Sequence, residues 1–201
     1  MEIRRAIDLG DGTREKISEI FVDGFYDDLR MLCGDRETLK KACAHMFVLK
    51  HFHAAIIDGE IAGVVACLDK DSYCVCPDRR MLVRHMGLFR GLFASFGFRY
   101  FSNDPKYPTE VEMDGKTASI EFVVTSPGHR KKGVATAILT HLHALPEYSD
   151  QVLEVKDTNR GAVELYKKMG YREIHRKKFR WAKRAGFEYF LYMKRSTPPI
   201  V

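Results

Sequence analysis

The fold is decided by Val123-Val-Thr-Ser-Pro-Gly-His-Arg-Lys-Lys-Gly-Val-Ala135, where a strand, a bend and the start of a helix follow one another. Apolar residues predict a strand over residues 116–125, and helical spacing predicts a helix over residues 134–145. Amides in the first turn of a helix lack intrahelical partners, and together with the helix dipole they attract anions. The sequence therefore predicts a phosphate-binding site at this bend.

The composition of the bend supports a phosphate site but excludes one common kind. Three consecutive basic residues add positive charge: Arg130, Lys131 and Lys132. Gly133 lets the backbone approach a phosphate closely. Gly128 and Gly133 also match the G-x-x-x-x-G start of a P-loop, but Val134 and Ala135 follow where a P-loop has Lys and Ser or Thr. A nucleoside triphosphatase is therefore disfavoured.

A second motif follows the bend: Leu153-Glu-Val-Lys-Asp-Thr-Asn159-Arg-Gly-Ala162-Val-Glu-Leu-Tyr166-Lys-Lys-Met-Gly170-Tyr171. It resembles the L-x-V-x-x-x-N-x-x-A-x-x-x-Y-x-x-x-G-F/Y pattern of GNAT acetyltransferases. The segment Arg130-Lys-Lys-Gly133-Val-Ala135 likewise resembles the R/Q-x-x-G-x-G/A signature of that family. The spacing between the two motifs is typical as well, and the resemblance covers residues 117–175.

The resemblance implies an α/β fold, a central mixed and twisted β-sheet flanked by helices, and acetyl-CoA as cosubstrate. In this family the amides of the bend hold the coenzyme A pyrophosphate, and the strand before the bend pairs with the pantetheine arm. The implied coenzyme-binding residues are Val124, Thr125, Arg130, Lys131, Lys132, Gly133, Val134, Ala135 and Asn159. A plain helix N-cap role explains Asn159 equally well.

Acyl transfer from a thioester to an amine needs a base for the amine and a proton for the leaving thiolate. By resemblance Tyr166 is the general acid, and a phenol is protonated at neutral pH. Glu154 and Glu121 compete as the base, because each interrupts an apolar strand, where a carboxylate is costly unless it is paired, solvated or functional. The offset from Glu154 to Tyr166 resembles protein N-terminal acetyltransferases of the family, which favours Glu154 slightly. The alternative for each glutamate is a solvent-facing strand position.

Composition sets the remaining limits. The chain has 201 residues, of which 45% are apolar and 30% charged, as in a soluble globular protein. We expect a single domain over residues 1–201, with residues 72–116 as an insertion that shapes the acceptor site. Apolar runs are too short for a membrane span and no secretory signal is evident, so we expect a cytoplasmic protein without a membrane partner. Five cysteines without framework spacing argue against a disulfide scaffold.

Outside the motifs the sequence supports only a coarse outline. We expect a strand in residues 1–8, helices from residue 14 and over residues 35–48, and a hairpin turning at Asp58-Gly59-Glu60. Residues 79–96 predict one or two helices. Residues 171–174 and 187–193 predict closing strands, with a basic loop at 176–184 between them and a frayed tail at 196–201.

Other functions have weaker support in the sequence than acetyl transfer. A GNAT fold can bind an acyl-CoA as a sensor or assembly module without turnover. The basic stretch 176–184, with Phe179 and Trp181, fits nucleic acid, although a solvated loop explains it better. His45, His51 and His53 lack the acidic or cysteine partners of a metal site, so no metal is expected. The acceptor amine, the acyl chain length and a homodimer stay open.

Overall fold

The computed structural model of the chain describes residues 1–103, 107–109, 111–180 and 186–196. In this part seven strands form one mixed sheet in the order β1-β2-β3-β4-β5-β7-β6. The strands are β1 (Glu2–Arg5), β2 (Phe52–Ile57), β3 (Glu60–Leu68), β4 (Thr117–Thr125), β5 (Asp150–Lys156), β6 (Arg172–Lys178) and β7 (Tyr189–Ser196). The helices are α1 (Thr13–Leu29), α2 (Arg36–Cys43), α3 (Arg79–Met86), α4 (Leu88–Asn103), α5 (Val134–His143) and α6 (Arg160–Lys168). The α/β fold with a mixed, helix-flanked sheet is confirmed.

The chain divides into two compact units. The first comprises Met1–Ala66, Tyr73–Lys106 and Phe122–Ile138, and the second comprises Cys67–Ser72, Tyr107–Glu121 and Leu139–Val201. The division runs through β4, between Glu121 and Phe122. At that point the backbone departs from extended geometry, because Phe122 has a φ of 49°, in the left-handed region that aromatic side chains rarely adopt. The expectation of a single domain stays a prediction.

In the first unit the predicted hairpin is present, with Asp58 and Gly59 at φ 51° and 81° between β2 and β3. Two left-handed residues in succession give the turn that suits the twist of paired strands. The sequence predicted one or two helices over residues 79–96, and the structure has two, α3 and the first part of α4. Gly91 on α4 lies so close to the α3 backbone that an added Cβ would overlap Val83.

One helix of the first unit is shorter than predicted. We expected a helix over residues 35–48, but α2 ends at Cys43 and a single 3₁₀ turn, Ala44–Met46, follows. The backbone then leaves the helix to pair with another segment. The amide of Val48 donates to the Cys74 carbonyl at 2.9 Å, and the amide of Cys76 donates to the Met46 carbonyl at 2.7 Å. Apolar spacing alone does not reveal this pairing.

In the second unit β5 is the central strand, parallel to β4 and antiparallel to β7. Helix α6 begins after Asn159, whose side chain accepts from the Ala162 amide, and it ends before Gly170 at φ 90°. The strand-helix-strand-helix-strand-strand order from Thr117 onward is confirmed. The basic loop is wrong for residues 176–178, because β6 continues to Lys178, paired with Tyr189.

That charged ending suits an edge strand, where exposed Lys and Arg discourage pairing with other chains. Residues 181–184 of the basic stretch, which include Trp181, and residues 197–201 of the tail lie outside the described residues. The described helices include none long and apolar enough to span a bilayer.

Candidate functional site

The first candidate site is the bend between Thr125 and Val134, which we call the phosphate bend. In its first half, backbone amides already donate hydrogen bonds to other groups of the protein. The Ser126 amide donates to the Ala62 carbonyl at 2.9 Å, and the His129 and Arg130 amides donate back within the 3₁₀ turn Pro127–His129. The Ser126 hydroxyl also lies 2.8 Å from Nδ1 of His129. These amides are not available to a ligand.

The second half of the phosphate bend is open. In the described part of the chain, the amides of Lys131 through Ala135 donate no backbone hydrogen bond. The hydrogen bonds of helix α5 start with the Ala137 amide, which donates to the Gly133 carbonyl at 2.9 Å. Residues 130–133 are solvent-exposed. Lys131 and Gly133 have φ values of 60° and 76°, and left-handed residues in such turns make successive amides converge into an anion-binding concavity. The predicted amide cradle therefore narrows to residues 131–135.

Gly63 on β3 allows this geometry by its lack of a side chain. A Cβ there would lie 2.7 Å from Cγ1 of Val134 and 2.9 Å from the Val124 carbonyl oxygen. The end of β4 and the start of α5 therefore pack directly onto the β3 backbone. Val124 is buried and Thr125 half-buried, so any contact of Val124 with a ligand falls to its main chain. Sequence analysis did not single out Gly63.

The second candidate site is the glutamate pair, Glu121 and Glu154. The parallel register of β4 and β5 ends with Ile120 opposite Leu153, so the two glutamates come next on adjacent strands. Glu154 is solvent-exposed, as the alternative explanation of this residue expected, and Glu121 is half-buried. Protein atoms near the Glu154 carboxylate desolvate it in part, and this raises its pKa. Hydrogen bonding to Tyr192 opposes the rise in pKa, and the negative charge of Glu121 adds to it. The structure thus brings the two predicted bases together.

Three hydroxyl groups around the pair were missed by the sequence analysis. The Ser119 hydroxyl donates to Oε1 of Glu121 at 2.8 Å, and the Tyr107 hydroxyl lies 2.7 Å from Oγ of Ser119. Tyr192 stands opposite Glu154 in the antiparallel register of β5 and β7. Only Ser119 had a sequence signal, because it lies two residues before Glu121 and so on the same face of the strand.

Tyr166, the predicted acid, is a buried residue of α6. Its ring packs edge-on against Tyr171, with centroids 5.9 Å apart. Tyr171 in turn donates to Oε1 of Gln151 at 2.8 Å, and Gln151 donates to the Leu142 carbonyl at 2.7 Å. This network fixes the ring of Tyr166. Burial raises the pKa of Tyr166, which keeps the phenol protonated and able to donate at neutral pH.

The structure assigns a local role to Asn159. Its Oδ1 accepts from the Ala162 amide at 3.3 Å, so it caps α6 and satisfies one free amide of the first turn. The residue is exposed. The N-cap explanation of Asn159 therefore suffices for the geometry, and its contact with coenzyme stays a prediction.

Cysteine and metal chemistry have little support in the described residues. Burial raises the pKa of the Cys43 and Cys67 thiols to about 12, so both are protonated and poorly nucleophilic at neutral pH. Within residues 1–103, 107–109, 111–180 and 186–196, no group of three His, Cys, Asp or Glu side chains is placed to hold a metal ion. Nε2 of His45 instead accepts from the Asp78 amide at 2.8 Å.

Comparison with known proteins places the chain in a family. The model of the acetyltransferase (GNAT) family matches residues 14–171, and the chain belongs to that family of acyl-transferring enzymes. No curated protein matches the sequence significantly.

Solved structures resemble the fold at low sequence identity. An N-acetyltransferase from Staphylococcus aureus Mu50 has 16% identity and a TM-score of 0.57, with 96% of this chain and 100% of that chain covered. A protein from Pyrococcus horikoshii OT3 has 18% identity and a TM-score of 0.59, covering 98% of each chain. An aminoglycoside 6'-acetyltransferase type Ii has 13% identity and a TM-score of 0.58 over the full length of both. These likenesses confirm the fold.

Proposed function

We propose that this enzyme transfers the acetyl group of acetyl-CoA directly to a primary amine. The open half of the phosphate bend carries the proposal. Unbonded amides from Lys131 to Ala135, a left-handed Gly133 and three exposed basic side chains suit a pyrophosphate and need no metal. Membership of the GNAT family supports a coenzyme A thioester as the bound phosphate compound.

In the proposed reaction the amine nitrogen attacks the thioester carbonyl and a tetrahedral intermediate forms. The carbon–sulfur bond then breaks, which yields the acetylated amine and coenzyme A. An amine of pKa near ~10 is mostly protonated at neutral pH, so a base must first take its proton. Glu154 or Glu121 would accept it, and Tyr166 would donate a proton to the departing thiolate.

The chemistry of the protein residues fits these roles. Desolvation raises the pKa of Glu154, and a carboxylate with a raised pKa is a stronger base than an ordinary one. Tyr166 stays protonated because burial disfavours the phenolate. Backbone groups of Val124 and Thr125 are proposed to pair with the pantetheine arm, as in the family. Holding the two substrates together supplies much of the remaining acceleration.

Two measurements test the proposal in sequence. Isothermal calorimetry with acetyl-CoA is expected to show saturable binding, and a thiol-release assay over a panel of amines is expected to show turnover with at least one. The panel should include peptide N-termini, lysine, polyamines, aminoglycosides and amino acids. Absence of both heat and thermal shift with acetyl-CoA contradicts the proposal. Binding without thiol release from any amine favours the sensor alternative.

A further inference from the structure

The two glutamates of the pair are unequally surrounded, and the difference lies in hydroxyl groups outside the family motifs. Glu121 receives a hydrogen bond from Ser119, which is itself bonded to Tyr107. Glu154 is bonded to the hydroxyl of Tyr192. Two linked hydroxyls, those of Tyr107 and Ser119, therefore lead to Glu121, and the Tyr192 hydroxyl lies at Glu154.

The direction of that chain follows from counting protons. Ser119 has a single hydroxyl proton and gives it to Oε1 of Glu121 at 2.8 Å, so its oxygen accepts from Tyr107 at 2.7 Å. The other acceptor within reach of the Tyr107 proton is the Val152 carbonyl, at the longer distance of 3.3 Å. Both donors thus point toward Glu121 and fix the position of its side chain.

The packing of Tyr107 makes it a permanent donor. Its ring lies edge-on against Tyr192, with centroids 5.8 Å apart, and it packs on the apolar cluster of Val111 and Val152. Desolvation raises the pKa of Tyr107 well above its usual value, and the negative charge of Glu121 raises it further. The hydroxyl therefore remains protonated throughout the range in which an acetyltransferase would work.

We propose that Tyr107 and Ser119 are positioning residues, which hold the Glu121 side chain beside Glu154, the glutamate proposed to take the proton of the acceptor amine. This inference rests on the proposed function. A fixed negative charge at Glu121 makes it easier for its neighbour to bind a proton. The same charge also attracts an ammonium group, the form in which most acceptor amines arrive.

The groups facing Glu154 come from several elements. They are Glu121 on β4, Lys156 on β5, Lys177 on β6 and Tyr192 on β7. The two lysines lower the pKa of Glu154, and they do so less than desolvation and Glu121 raise it.

The decisive variants are Tyr107→Phe and Ser119→Ala, which remove one hydroxyl each and keep the ring or strand in place. Carbon-13 NMR of the glutamate carboxyls in the free protein is expected to show a lower pKa of Glu154 in both variants, because Glu121 is no longer held beside it. Glu121→Gln should lower the pKa of Glu154 by a larger amount, because the neighbouring negative charge is gone. These readouts need no substrate.

Kinetics with the best amine of the panel give the second readout. Tyr107→Phe is expected to lower kcat about three- to tenfold with an unchanged KM for acetyl-CoA. Glu154→Gln should lower kcat at least ~100-fold, and Glu121→Gln should shift the acid limb of the pH–rate profile to lower pH with a smaller loss of kcat. The matched control is Tyr148→Phe, which removes a tyrosine hydroxyl bonded to Asp69 at 2.8 Å.

Two results overturn the inference. One is an unchanged carboxyl titration in both Tyr107→Phe and Ser119→Ala. The other is a larger loss of kcat in Glu121→Gln than in Glu154→Gln, which makes Glu121 the base. If the wild type releases no thiol with any amine, the proposed function has failed, and the NMR titration still decides how the pair is held.

Discussion

The phosphate bend and the glutamate pair differ in what they are made of. The bend offers main-chain amides, held by left-handed residues at Lys131 and Gly133 and by close packing at Gly63. The glutamate pair offers side-chain oxygens, held by hydroxyls that arrive from a loop and a neighbouring strand. The bend should therefore respond to changes of backbone conformation, and the pair to the loss of single polar atoms.

The largest effect is expected from Tyr166→Phe. Removing the hydroxyl leaves the ring packed against Tyr171 but takes away the proposed proton donor of the thiolate. Thiol release should fall roughly 100-fold, since general acid catalysis contributes about 10²–10⁴-fold. Calorimetry should show unchanged affinity for acetyl-CoA. Turnover within twofold of the wild type would remove Tyr166 from the mechanism.

Gly63→Ala should destabilise the first unit. The new methyl group would collide with the Val124 carbonyl and with Val134, and overpacking of this kind costs about 1–3 kcal/mol. Thermal unfolding should show the loss, with weaker coenzyme binding alongside it. Gly115→Ala is the control, because nothing lies within 4 Å of its added Cβ. Equal melting temperatures for the two variants would show that β3 does not support the bend.

Comparing Gly133→Ala with Gly128→Ala tests whether the bend needs the left-handed backbone of Gly133 or only room for the absent side chain. Neither added Cβ meets an atom within 4 Å, but only Gly133 has a positive φ, at 76°. A left-handed alanine costs about 1 kcal/mol, which corresponds to about fivefold weaker binding if the strain is relieved by reshaping the amide cradle. We expect this loss in calorimetry for Gly133→Ala alone. Equal affinities would falsify the role of the left-handed turn.

The smallest effect concerns stability and pH. The pKa of Glu154 is raised in the folded protein, chiefly by desolvation, so the folded state holds this proton more tightly than the unfolded state. Its contribution to stability is present below the unfolded pKa and is lost as pH rises through the folded pKa. The free energy of unfolding of the wild type, measured with urea, should therefore fall across that pH window relative to that of Glu154→Gln. Parallel curves for the two proteins would show that Glu154 has no raised pKa.

The two regions also differ in how far the sequence predicted them. The order of elements from Thr117, the bend and the N-cap at Asn159 follow from short-range patterns, and the structure agrees with them. The early end of α2 and the extension of β6 to Lys178 depend on pairing with distant segments, so local spacing did not show them. Both glutamates were singled out because a carboxylate in an apolar strand is unusual, and their roles as candidate bases stay predictions.

The sequence by itself determined the family, the position of the phosphate bend with its free amides, and the chemical types of the candidate residues. These are properties of neighbouring residues, and chain connectivity alone brings them together. Only the tertiary structure decided that Tyr107 reaches Ser119 and that Tyr192 stands opposite Glu154. Strand order and register create such contacts between distant residues. A pattern of period two or 3.6 indicates which face a residue occupies, but it does not identify the partner on that face.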